Sequence, residues 1–174
     1  MSLKKSRAIA CMGSIILAFI FHFAYQIFPN FLFSIFFPVN ESVWEHMKLL
    51  YSSIVFYGII DYFFNIKYNI GYNNFFMNIF VCSLSSILVY LAMFLPLYFS
   101  VGESVFISIG VMIITFIIVY ILSYYILNFR DIDYNFLWAI LTIFGFVILT
   151  YLTYYPLHNQ LFFDTKNEIY GIKK

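Results

Sequence analysis

The chain alternates long apolar runs with short polar breaks. Five runs are long enough to cross a hydrocarbon core, which as helix takes about 20 apolar residues: 8–28, 43–65, 75–99, 104–127 and 134–155. Each break has a local cause. Pro29-Asn30 ends the first run, the Asn65-to-Asn74 stretch with Gly71 parts the second from the third, and Pro96 to Gly102 parts the third from the fourth. Asn128-Phe129-Arg130-Asp131-Ile132-Asp133 divides the fourth from the fifth. The run from Phe31 to Phe37 is too short to cross and is placed in the interface or dipping into it. The pattern predicts an all-α transmembrane bundle of five spans, with residues 1–174 as one domain and a short interfacial segment between the first two spans.

Composition agrees with the pattern. The 174 residues are 64% hydrophobic, 24% aromatic and 10% charged, against roughly 45–50% apolar and 25% charged in soluble domains. Lipid solvates that much apolar surface at no cost, whereas water does not. A net charge of +1 offers no basic face for nucleic acid. Cys11 and Cys82 lie inside apolar runs and read as small core residues. Tyrosines such as Tyr124-Tyr125 and Tyr151 to Tyr155 crowd the span ends, where amphipathic rings suit the headgroup level. No repeat of fixed period is present.

Lys4-Lys5-Ser6-Arg7 ahead of an apolar run has the outline of a secretory signal. The run continues through Ile20-Phe21-His22-Phe23-Ala24-Tyr25 without a small-residue cleavage site, so the first span is expected to be retained. The same basic residues place the amino terminus in the cytoplasm. Five crossings then leave Lys67 and Arg130 inside and the segment 156–174 outside, on the side of 29–42, although Lys166, Lys173 and Lys174 work against that orientation.

With this topology the polar residues converge on one face. Pro38-Val39-Asn40-Glu41-Ser42-Val43-Trp44-Glu45-His46-Met47-Lys48 is the densest chemistry in the chain. A helix starting at Asn40 or Ser42 puts Glu41 and Glu45 one turn apart with His46 beside them. His158, Asn159 and Asp164 emerge on the same side, as do Glu103 and Ser104. His22 and Gln26, one turn apart on the first span, lie just below, His22 about 9 Å from the helix end. An ionisable group inside a span is costly and faces a partner in the bundle.

Imidazoles and carboxylates together suit a divalent transition metal such as zinc. His22, His46, His158 and Asp164 are the candidate ligands and Glu41 and Glu45 the candidate catalytic carboxylates. Asn40, Ser42, Trp44, Lys48, Asn159 and Gln26 are expected to line the polar pocket. Structural readings compete with these. Ser42-Val-Trp-Glu45 and Ser100-Val-Gly-Glu103 both fit a capping box. His158 to Asp164, with Leu161, Phe162 and Phe163, folds back on the bundle or anchors at the interface. Tyr57, Asp61 and Asn65 form a stripe at the inner end, where Asp61 reaches water and is read as structural.

At Val39-Asn40-Glu41-Ser42-Val43-Trp44-Glu45-His46-x-Lys48-Leu49, and again at His158-Asn159-x-x-Phe162-Phe163-Asp164, the chain resembles a family of small bacterial multi-pass membrane proteins classed as a domain of unknown function. The resemblance implies a bacterial cytoplasmic-membrane protein and supplies no activity. The His-and-acid arrangement is also loosely similar to intramembrane metal hydrolases of the alkaline ceramidase kind, from which the chain departs by two fewer spans and by lacking a His-x-x-x-His pair. Three functional classes follow. The first is a bundle with an extracytoplasmic polar pocket for a metal ion or a small polar or lipid headgroup, with metal-assisted hydrolysis as one use. The second is a non-catalytic interaction or immunity-type subunit. The third is a small permease, which the absence of broken helices and repeats disfavours.

Overall fold

The computed structural model describes residues 1–102, 104–132 and 134–172. Among these residues five helices are long and apolar enough to span a membrane: α1 (Leu3–Ile27), α3 (Val43–Tyr68), α4 (Phe75–Val101), α5 (Val105–Asn128) and α6 (Asn135–Tyr154). A six-residue helix, α2 (Phe31–Phe36), lies between the first two spans. A two-stranded hairpin, β1 (Phe163–Asp164) with β2 (Ile169–Tyr170), follows the last. Local chemistry sets the ends. Ser2, Asn30 and Ser42 accept backbone N–H groups at the starts of α1, α2 and α3, and Asn69 closes α3 in the left-handed region at φ 46°.

Pro96 does not break the chain as the sequence pattern suggested. Helix α4 runs through it and stops at Gly102, whose φ of 87° only glycine adopts readily. Pro96 removes one N–H, but in an apolar surrounding the neighbouring amides find no better partner than the helix itself, so the helix continues. Glu103 lies outside the described residues, as do Asp133, Lys173 and Lys174.

Helix α3 is the axis of the bundle. Half of its apolar window is buried, against 17–28% for the other four spans, which is why it can carry Glu45, Lys48, Ser52, Ser53 and Asp61 on its buried positions. Helices α1 and α4 pack along it, α5 closes the ring between those two, and α6 lies mainly against α4, with small polar residues at the seams: Ser14, Ser53, Ser83, Ser86, Thr115 and Ser123 are all fully buried. Ser14 hydrogen-bonds the Tyr120 hydroxyl at 2.5 Å, and Tyr51 donates to the Thr142 carbonyl at 2.8 Å. The outer faces carry bare hydrophobics such as Phe106 and Phe136, which suits a surface bathed in lipid.

Helix α2 is wedged rather than afloat. Its last carbonyls have no helical partners, and side chains from α3 and α6 supply them. Lys48 Nζ donates to the Ser34 carbonyl at 2.8 Å, Ser52 Oγ to that of Phe36, and Thr150 Oγ1 to that of Ile35 at 3.4 Å.

At the end of the bundle that holds the amino terminus, Arg7 pairs with Asp61, and Tyr72 donates to Asp61 at 2.9 Å. Arg7 and Asp61 are 4% and 3% exposed, so Asp61 does not reach water and Arg7 is no free surface charge. Asn73 and Asn74 tie the α3–α4 connection to the α5–α6 connection at the same end.

Candidate metal centre

At the other end the chain leaves α2 through an extended loop, residues 37–42, before α3 begins at Val43. Glu41 therefore sits in the loop and Glu45 in the first turn of the helix, and their side chains part. Glu41 is about a quarter exposed, with Oε2 3.8 Å from Nε2 of His22 on α1 and 3.8 Å from Nε2 of His46 on α3. The donor atoms of the three residues all lie within 4.8 Å of one another.

The tautomer of His46 follows from its partner. Its Nδ1 lies 2.8 Å from the Ser42 carbonyl, which can only accept, so Nδ1 carries the proton and neutral His46 turns the Nε2 lone pair towards Glu41. At 3.8 Å the Nε2 and the carboxylate are too far apart for a direct hydrogen bond, which leaves room for a cation, a proton on Nε2 included. Donors around tetrahedral zinc stand roughly 3.4 Å apart, given bond lengths of about 2.0–2.2 Å. The two 3.8 Å distances to Glu41, and a spread of up to 4.8 Å over the three donors, close to that with side-chain movements of about 1 Å. The Ser42 carbonyl on Nδ1 is the kind of outer partner that orients a ligating imidazole.

The cluster opens onto a cavity of about 450 Å³ whose lining includes Phe19, Phe23 and Gln26 of α1, Leu49 and Leu50 of α3, Tyr90 of α4, Ile109 and Met112 of α5, and Lys166 from the tail. Its volume falls within the usual range for small-molecule sites, about 300–1,000 Å³.

A family model matches residues 2–172. The chain belongs to DUF6512, a family of unknown function. The DUF6512 match spans every element described above. No curated protein and no solved structure matches the chain.

Several residues expected at the centre of this DUF6512 chain do other work. Glu45 is 2% exposed, and its Oε2 pairs with Lys48 Nζ at 2.9 Å and accepts the Val39 amide at 3.1 Å, while Oε1 accepts Thr153 at 2.6 Å. With three buried donors on its carboxylate and 2% exposure, Glu45 is not placed to act on a substrate. Lys48, 0% exposed, points into the bundle and not into the pocket. The capping box is half formed: Ser42 Oγ accepts the Glu45 amide, but the Ser42 amide goes to Asn40 Oδ1 at 2.9 Å.

Asp164 and His158 do not join the cluster. Asp164 Oδ1 accepts the amides of Lys166 and Asn167, and Oδ2 accepts the Asn167 side chain and the Glu41 amide, all within 3.0 Å. Burial alone would raise its pKa, but these four donors together outweigh it and hold the carboxyl below its ordinary value. Such a carboxylate has no lone pair left for a metal. His158 stacks on Tyr170, centroids 4.7 Å apart. Asn159 closes a turn by accepting the Leu161 amide at 3.0 Å, and Asn40 donates to the Gly171 carbonyl at 2.8 Å. Trp44 stacks on Phe162 at 4.7 Å, and its amide donates to the Leu161 carbonyl. These contacts strap the tail onto the 37–44 segment, and the strap carries Lys166 to the cavity. Sequence reasoning missed Lys166; its one signal was its place two residues after Asp164.

Proposed function

We propose that His22, Glu41 and His46 bind a divalent transition metal at the extracytoplasmic face of a bacterial cytoplasmic membrane, and that the site serves metal-assisted hydrolysis of a substrate held in the adjoining cavity. The observation that carries this reading is the convergence of two imidazoles and one carboxylate at the mouth of a largely apolar cavity. Two histidines and a carboxylate are a donor set common to hydrolytic zinc sites and to non-haem iron sites. The ion would lower the pKa of a coordinated water towards 7. His46, oriented through Nδ1 by the Ser42 carbonyl, would present Nε2 to the ion, and Gln26 can hydrogen-bond a polar group in the cavity. Orientation is supported by Lys4, Lys5, Lys67 and Arg130 at the opposite end of the bundle.

Elemental analysis of protein purified without chelator tests the reading. One zinc, manganese or iron per chain is expected, falling at least tenfold in H22A, E41A and H46A and unchanged in H158A. Equal metal content in all four would sink it and leave the interaction-subunit class. Labelling of a single cysteine at Gln160, an exposed position of the tail, from outside intact cells, with Cys11 and Cys82 replaced, tests the orientation.

A further inference from the structure

Helices α1 and α5 are clamped at one end and separated at the other. Towards the amino-terminal end Arg7 donates to Ser123 at 3.2 Å and Ser14 bonds Tyr120. Towards the tail the cavity lies between them, with Phe19 and Phe23 on one wall and Val105 and Ile109 on the other. Phe19, Phe23 and Val105 are 44%, 52% and 70% exposed, so the cleft is open sideways, where the bundle meets lipid. Its walls are apolar along their length and its polar groups gather at one end. Among the described residues lining it, Glu41 is the one acid, and Lys166 stands with the imidazoles at the same end. With a divalent ion in place, positive charge exceeds negative there. Of the acids near in sequence, Glu45 and Asp164 are taken up by Lys48 and by four N–H donors, and Glu168 stands exposed in the hairpin two residues past Lys166.

We propose that the cleft admits, directly from the bilayer between α1 and α5, a single-chain amphiphile with an anionic phosphate-like head. The chain lies along Phe19, Phe23 and Ile109, and the head rests between Lys166 and the metal centre. The position of the head rests on the metal reading; that of the chain does not. The shape argues for one chain: the cavity is about 450 Å³, towards the lower end of the range for ligand pockets.

The test is equilibrium binding of radiolabelled dodecyl phosphate to the full chain in dodecyl maltoside micelles, with inorganic phosphate and dodecyltrimethylammonium as competitors. The proposal expects one site per chain and competitors at least tenfold weaker. It expects at least tenfold weaker binding in K166E, which removes the cation at an exposed position, and in V105W and I109W, which fill the cleft. V105W alters a residue already facing outward, so its fold is retained even if I109W fails. Equal competition by inorganic phosphate would reduce the site to an ion site. Equal competition by the ammonium amphiphile, or unchanged binding in K166E and V105W, would reduce it to micelle partitioning; each of these overturns the proposal. The two readings separate cleanly, because V105W keeps its metal if the centre is real. Metal-free protein that still needs Lys166 and Val105 for binding would remove the metal and keep the cleft.

Discussion

Replacing Glu45 with alanine distinguishes an internal tie from a catalytic group. The substitution would strand the Lys48 ammonium, 0% exposed, with only the Ser34 carbonyl at 2.8 Å as partner. Removing one member of a buried ion pair costs about 3–5 kcal/mol. The Val39 amide would also lose its acceptor, whereas Thr153 keeps the Leu149 carbonyl at 3.1 Å. At roughly 2–4 °C per kcal/mol for a chain of this size, the unfolding midpoint should fall by roughly 6–20 °C. The double variant E45Q/K48M removes both charges; its one amide oxygen can accept from Val39 while its NH2 donates to Thr153 Oγ1, whose own proton keeps the Leu149 carbonyl, so it should recover more than half of the loss. The assay is thermal unfolding in detergent followed by circular dichroism, with metal content measured alongside. A midpoint within about 2 °C of the parent for E45A, or metal lost from a well-folded double variant, would refute the assignment and return Glu45 to the centre.

Three further outcomes follow from the geometry. Asp164 has a depressed pKa, so its contribution is complete above the ordinary carboxyl value of about 3.9 and is lost only as pH falls through its lower folded value. Proteolysis of the tail near Lys166 should therefore be unchanged from pH 7 to 5 and rise below about 4, while D164A should show it at pH 7; a rise near pH 6 in the parent contradicts the arrangement. At the opposite end, D61N leaves Arg7 buried without its counter-ion and should destabilise by about 3–5 kcal/mol with metal content unaffected, read from unfolding midpoints and elemental analysis. A Cβ at Gly145 would stand 2.1 Å from Tyr51 Oη, and Tyr51 is 1% exposed. G145A should thus cost about 1–3 kcal/mol by overpacking, part of which Y51F restores in the same melting assay.

The spans were legible because hydrocarbon thickness converts directly into run length, and Pro29-Asn30 and Gly102 punctuate as their backbone preferences require. Pro96 misled because its rule is calibrated in water, where freed carbonyls have other partners. Within the polar stretch, His22, Glu41 and His46 could be picked as residue types but not as a set. Their grouping depends on α3 starting at Val43, which turns Glu41 outward and Glu45 inward; a start three residues earlier would have put both on one face. Lys48 read as part of a pocket because the partner that buries it is the short α2, whose unpaired carbonyls leave no mark in the sequence. Asp164 and His158 were drawn towards a metal by their type. The hairpin's own amides and Tyr170 satisfy them first, a local competition that Asp residues near turns commonly win.

The strap sets the order in which the molecule can be finished. The Glu41 amide is held by a carboxylate 123 residues further along, an interval of about 10 s at ordinary rates of protein synthesis. Until then Glu41 rides on a loose turn between the helices that carry His22 and His46. A ribosome stalled after α6 would thus leave a bundle of normal outline in which Glu41 is not yet fixed against His22 and His46, so the cluster takes its final shape only with the last stretch of translation.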